Sequence, residues 1–321
     1  VEFRNEGVRS NVLGKPMKEP QDVPFEKEGQ YLKSDNRSNI SYFLEHNVLL
    51  RRFTLSVGVL ANYNSALNEG IHFYPGIDAS YRIGDNFRLY GSWNRALRMP
   101  TFTDLYYEGK TNKGNPDLKP EESEAFEVGL KYNTYFLRAH IAGFYRKGKN
   151  MIDWVKEKPE DIWESQNLTK VDNLGFETNL SLLPRELGNE RFFIRKIELG
   201  YAFIHQDKDS EGYISNYALD YLKHKFTAQL SHSIWKGFSA TWYVRWQDRA
   251  GSYTKYENLK PAYEEPYAPY CLVDMKVNWE YQRLNLYAEL NNLLNSTYYD
   301  LGNIPQPGIW FKAGFRYSFK Y

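Results

Sequence analysis

Six histidines, one cysteine and one carboxylate-rich hexapeptide are the residues from which catalysis or metal binding would have to be built. His46, His72, His140, His205, His224 and His232 form no His-Glu-x-x-His pair. His224 and His232 share a face of one extended segment but lie roughly 26 Å apart along it, too far to hold one ion. No Gly-x-Ser-x-Gly elbow and no phosphate-binding glycine loop occurs. A hydrolase would therefore need a Ser or Asp carried to a His by the fold alone. Cys271 stands alone, which excludes an internal disulfide and a multi-cysteine metal site and makes it a packing residue. Asp207-Lys208-Asp209-Ser210-Glu211-Gly212 opens like a calcium loop, but the position six after the glycine, where a bidentate acid is required, is Ala218. A solvated loop is the expectation there. What remains is recognition by aromatic surface. Tyr106, Tyr107, Trp163, Tyr253, Tyr256, Tyr263, Tyr267, Tyr298 and Tyr299 sit in connecting segments. They suit a bulky ligand and, equally, a belt at a membrane interface.

The elements that carry these residues alternate. In the last stretch Ile309, Phe311, Ala313, Phe315, Tyr317, Phe319 and Tyr321 are apolar or aromatic, and Lys312, Gly314, Arg316, Ser318 and Lys320 fall between them. Side chains on a strand point to opposite faces in turn, so this is a strand with one greasy and one wet face. The aromatic weight runs to the final residue, which predicts a terminus held in a structure rather than a frayed tail. About fourteen such segments recur, near residues 1–11, 36–48, 53–63, 72–83, 87–98, 122–132, 135–153, 167–183, 195–205, 224–235, 238–249, 270–280, 284–295 and 308–321. Phe238, Ala240, Trp242, Val244 and Trp246, for example, oppose Ser239, Thr241, Tyr243, Arg245 and Gln247. The wet faces carry charge as well as hydroxyls, which fits a water-filled lumen better than a dry core.

Composition agrees. No run approaches ~18 apolar residues, so membrane helices are excluded. The mean hydropathy of −0.67 leaves a membrane barrel open, because barrel strands alternate lipid-facing and lumen-facing residues. The 27 Tyr, 19 Phe and 8 Trp exceed what an average soluble domain carries. A net charge of +1 gives no footprint for nucleic acid. The chain opens on Val1 without a signal peptide or initiator Met, and the expectation is a processed or partial chain.

The connections sort by length. Short links near 49–52, 84–86, 133–134, 236–237 and 281–283 alternate with long ones near 12–35, 64–71, 99–121, 154–166, 206–223, 250–269 and 296–307, with 184–194 intermediate on the short side. Short periplasmic turns opposite longer external loops are what a membrane barrel requires, and a soluble sandwich has no reason to sort its loops this way. The fold class expected is all-β, a transmembrane antiparallel β-barrel.

Residues 93–130, WNRALRMPTFTDLYYEGKTNKGNPDLKPEESEAFEVGL, give the chain a family. Arg98 and Pro100, Leu105 and Tyr106, Gly114, Asn115, Pro116, Leu118, Pro120 and Glu121, then Ser123 and Glu127 leading into a strand, resemble the barrel motif of TonB-dependent outer-membrane receptors. Asn150 to Asp153, Asn167 and Gly175-Phe176-Glu177 resemble the strand pair after it, and Asn291-Asn292-Leu293-Leu294 through Tyr298 the penultimate strand. The motif residues read as structural first: the prolines end strand pairing and Gly114 permits positive φ. Arg98, Glu127 and Glu177 are expected to share a charge network in the lumen.

The resemblance implies a bacterial outer-membrane location and a barrel of ~22 strands around a plug. Neither plug nor early strands are found, so residues 1–321 are expected to be the C-terminal part of the barrel. The implied partners are outer-membrane lipid, a TonB energy-transducing complex acting through the plug, the barrel-assembly machinery at the last strand, a surface lipoprotein, and a small-molecule nutrient. No enzyme activity or cofactor is implied. Among such receptors the chain is most similar to those for cobalamin, with ferric-siderophore or haem receptors next. Asn295 and Asn303 beside Tyr298 and Tyr299 would supply amides to a corrinoid, whereas Lys110, Lys113 and Lys119 would suit a polyanionic chelate. Two other classes remain, a complete passive pore of about fourteen strands and a soluble all-β surface protein.

Overall fold

In a computed structural model of the chain, residues 1–319 are described except 27, 68–69, 159, 189–190, 210–211, 216–220, 259 and 303. The calcium-like loop, with Ser210, Glu211 and Ala218, thus falls partly outside the described residues, as do Asn303, Lys320 and Tyr321.

Alternation produces one long meander. Its fourteen strands are Glu2–Ser10, Gln30–Leu49, Phe53–Asn64, Ile71–Ile83, Phe87–Arg98, Glu121–Asn133, Leu137–Lys156, Trp163–Leu182, Ile194–Asp209, Leu222–Ser233, Phe238–Arg249, Tyr270–Tyr281, Leu284–Asn291 and Trp310–Tyr317. Each pairs antiparallel with the next. Pairing in register puts like residues in rows. Val57, Ile77, Trp93, Phe126, Tyr145 and Leu174 stand side by side on six consecutive strands. The neighbouring row, Asn47, Ser56, Asp78, Ser92 and Glu127, lies on the opposite face.

The sheet is a single layer, and its apolar face has nothing of this chain to pack against. Leu174 is 56% exposed, Val128 62% and Phe315 73%. Contiguous apolar surface on this scale is not tolerated in water. Lipid is the solvent it fits, and the soluble-domain alternative fails here. No helix among the described residues is long and apolar enough to cross a membrane. Crossing falls to the strands, which need about 9–11 residues each.

Several strands run well beyond that length. Leu137–Lys156 and Trp163–Leu182 pair from Leu137↔Leu182 to Val155↔Glu164, so the expected long link 154–166 is largely strand. Likewise the link expected at 12–35 holds the strand Lys15–Asp22, paired with Gln30–Leu49. Gly14, at φ 107°, lets the chain pass over that strand, since a Cβ there would come within 2.7 Å of the Ser34 carbonyl carbon. The link expected at 250–269 is a hairpin of Ser252–Glu257 with Lys260–Pro266.

The two outermost strands differ from the rest. Glu2–Ser10 pairs with Gln30–Leu49, Trp310–Tyr317 pairs with Leu284–Asn291, and among the described residues neither outer edge meets another strand. The barrel is not closed. That corrects the reading of a complete fourteen-stranded pore, because open edges in lipid leave backbone groups without partners.

Candidate functional site

The family motif folds into a knot at the long-loop end of the sheet. Arg98, last in its strand, donates from Nε and Nη2 to the two carboxylate oxygens of Glu121 at 2.6 and 2.5 Å. Glu121 is 6% exposed and its Oε1 also accepts the Ile152 amide at 2.8 Å. Between these strands Thr101 and Asp104 cap the short helix Phe102–Tyr106 reciprocally. Gly114 and Asn115 then fold back over it, their amides donating to the carbonyls of Tyr107 at 2.6 Å and Asp104 at 2.9 Å. A Cβ at Gly114 would come within 2.9 Å of the Asp104 carbonyl oxygen, so close backbone approach accounts for the glycine. Asn167 closes the knot, exchanging hydrogen bonds with the Lys119 backbone at 2.9 and 3.0 Å and donating to the Asn150 carbonyl at 2.7 Å. Leu118 is buried beneath. Asn292, also buried, plays the same part near the penultimate strand, bonding Asp274, Ser296 and Pro307.

The single charge network expected of Arg98, Glu127 and Glu177 is two separate ones. Arg98 joins Glu121 and approaches Asp104 at 3.9 Å. Glu127 accepts from the Tyr90 hydroxyl at 2.7 Å, that hydroxyl also meets His140 Nε2 at 2.8 Å, and Glu177 lies 3.9 Å from His140 Nδ1. Alternation put all three residues on the polar face, but their position along the strands separates them.

The nine aromatic candidates are likewise divided. Tyr106 donates its hydroxyl to Asp35 at 2.5 Å, and burial with the adjacent carboxylate pushes that hydroxyl well above the usual phenol range. Tyr107 meets Trp154 edge-on at 6.5 Å, and Trp163 lies under the Lys156 ammonium at 4.5 Å. A second group gathers Tyr253 with Tyr267 at 5.1 Å and with Tyr299 at 5.7 Å. Tyr298 packs on Tyr270 at 4.7 Å instead. Tyr256 and Tyr263 are each 53% exposed, out on the hairpin. Asn295 is occupied structurally, its Oδ1 accepting the Ile309 amide at 3.0 Å.

Several participants were not anticipated. Lys255 sits 5.8 and 5.7 Å from the Tyr253 and Tyr299 centroids and is bonded to Glu265 at 2.7 Å, while Arg249 stacks over Tyr267 at 5.4 Å. The hydrogen bonds from Lys255 and Tyr253 hold the Glu265 carboxyl below its ordinary range, and the bond to Glu265 holds the Lys255 ammonium above its own. Their signal was the alternation of Lys255 with Tyr253, which puts both on one face of the hairpin. On the polar face of the sheet two grooves of about 580 and 670 Å³ are lined by mixed charge, including Arg37, Asp78 and Arg95 in one and Lys131, Glu198 and Arg245 in the other.

Relatives share this construction. The family described as TonB dependent receptor-like, beta-barrel, matches residues 5–293. The vitamin B12 transporter BtuB of Vibrio vulnificus is 26% identical over 225 residues, 53% of this chain and 36% of that protein. The ferrienterobactin receptor of Escherichia coli is 22% identical over 297 residues, 84% of this chain and 38% of its own. A solved ferric enterobactin receptor of Pseudomonas aeruginosa with enterobactin bound superposes with a TM-score of 0.74 at 19% identity, covering 99% of this chain and 51% of that one. The chain thus spans between a third and a half of these relatives, which are transporters and receptors rather than enzymes. Lipid-facing strand rows, sorted loops and the motif knot come together in one assignment: the chain is an outer-membrane β-barrel segment and belongs to the TonB dependent receptor-like β-barrel family.

Proposed function

We propose that this chain supplies a large part of the barrel wall of an energy-coupled nutrient receptor, and that the nutrient is a corrinoid such as cobalamin. On this reading residues 1–321 are the C-terminal part of the barrel, and the remaining strands and plug belong to the rest of the receptor. The plug is what a TonB-type partner engages, and the last strand is what the barrel-assembly machinery engages. The observation that carries the ligand reading is the Tyr253, Tyr267 and Tyr299 cluster, whose central lysine is already neutralised by Glu265. Aromatic surface whose central lysine is paired suits a large ligand of little net charge and many amides. A second reading, a ferric siderophore, is favoured by the Arg249 guanidinium on Tyr267, since a polyanionic chelate seeks cations at the mouth.

Calorimetry on the intact receptor with cobalamin and with a panel of ferric chelates tests the choice. Tight cobalamin binding that weakens at least tenfold in Tyr253→Ala is expected. Tight binding of a chelate with none of cobalamin would overturn the ligand and leave the family untouched.

A further inference from the structure

The short-turn rim carries a charge that the rest of the chain does not. Within two residues of its six turns there are ten Lys or Arg against four Asp or Glu, an excess of six cations, where the whole chain has an excess of one. The longest of these turns concentrates the effect. It opens with the 3₁₀ turn Pro184–Leu187, closed by Gly188 at φ 107°. Arg185 donates from Nε to the Phe192 carbonyl at 2.9 Å and from Nη2 to the Ser233 hydroxyl at 2.6 Å. Arg195 Nε donates to that same hydroxyl at 2.8 Å.

Two guanidinium groups therefore converge on one neutral oxygen, and among the described residues neither has a carboxylate partner. Like charges so placed repel, and each guanidinium keeps N–H groups that Ser233 does not engage. An anion beside Ser233 would take up both. Around the pair stand apolar side chains left exposed, Leu187, Phe193, Ile234 and Trp235, at 59%, 57%, 55% and 65%. A free anion has no use for them, whereas the acyl and glycerol region of a lipid does.

We propose that Arg185 and Arg195 hold the phosphodiester of an anionic phospholipid in the periplasmic leaflet, with Phe193 and Trp235 anchoring its apolar part. The planar fork of each guanidinium matches phosphate oxygens, and the cationic rim around it raises the local concentration of anionic headgroups. The site depends on the barrel orientation, short turns toward the periplasm, and not on which nutrient is carried.

Native mass spectrometry of the intact receptor released from nanodiscs of equal phosphatidylglycerol and phosphatidylcholine tests it. Wild type should retain phosphatidylglycerol preferentially. Loss of two interfacial cations in Arg185→Gln/Arg195→Gln should cut that preference about 10- to 30-fold. Lys110→Gln/Lys113→Gln, which removes the same charge from the long-loop side, should leave it unchanged. Should the rim variant misfold, wild type alone decides, because retention must fall as salt rises. Salt-independent retention, equal retention of the two lipids, an undiminished preference in the rim variant, or full displacement by millimolar inorganic phosphate would each overturn the assignment.

Discussion

Glu121 shows how much a motif residue can do without touching a ligand. It is buried, it neutralises Arg98, and it accepts the Ile152 amide. Replacing it with alanine strands both donors, and Glu121→Ala is expected to cost about 2–3 kcal/mol in urea unfolding of the receptor from lipid vesicles. Glu122→Ala next to it should stay within about 0.5 kcal/mol, because its partner Arg95 lies 3.5 Å away at an exposed site. Comparable losses for the two would show that the knot is not what the Arg98 pair supports. Glu265 offers a pH handle on the aromatic hairpin. Its carboxyl is held low, so the stabilisation it gives is complete above the ordinary carboxylate range, near about pH 4, and is lost as pH falls below it through the lowered value. The Lys255 ammonium is held high, so its share persists through neutral pH and disappears only in strong alkali. Amide exchange of the hairpin Ser252–Glu257 with Lys260–Pro266 should therefore be slow at neutral pH and quicken below about pH 4. An exchange rate, corrected for its intrinsic pH dependence, that is flat through that range would remove the pair from the account.

At the scale of elements, each strand is a two-faced object. Val244 pairs with Ala228 and Val273 on the apolar face, and Tyr243 pairs with Gln229 and Asp274 on the polar one. Val244→Arg is expected to cost about 2–4 kcal/mol in vesicle refolding and Tyr243→Arg much less. Equal costs would mean the faces are exchanged. The strands were legible in the sequence because lipid on one side and water on the other impose a period of two, and each of the fourteen expected segments overlaps an observed strand. Their ends were not. Backbone pairing of Leu137–Lys156 with Trp163–Leu182 runs past the expected 135–153 and 167–183 to Val155↔Glu164, where adjacent apolar Trp154 and Val155 face the polar run Glu164-Ser165-Gln166 and keep no period of two. The short ladders Asn112–Lys113 with Trp163–Glu164 and Ile214–Ser215 with Val155–Lys156 escaped for the same reason. Residue types at the aromatic site were visible too. Its division into a Tyr107–Trp154 group and a Tyr253–Tyr267–Tyr299 group depends on contacts between loops that no local period records.

For the whole molecule, the decisive feature is a one-layer sheet with an apolar face and, among the described residues, two unpaired edges. Among the described residues, apolar burial inside the chain is confined to a few side chains, such as Val155, Ala142 and Leu272, so in water there is little core to hold it. The chain should fractionate with outer membrane and require detergent. Recovery as a soluble monomer would contradict that. On the proposed function this wall works only as part of a complete, energised receptor. The most direct measurement is uptake of labelled cobalamin by cells making the intact receptor, compared with cells making residues 1–321 alone and with cells whose membrane energisation is collapsed. Accumulation is expected in energised cells with the intact receptor and in neither of the others. Accumulation through residues 1–321 alone, or undiminished accumulation without energy, would contradict it.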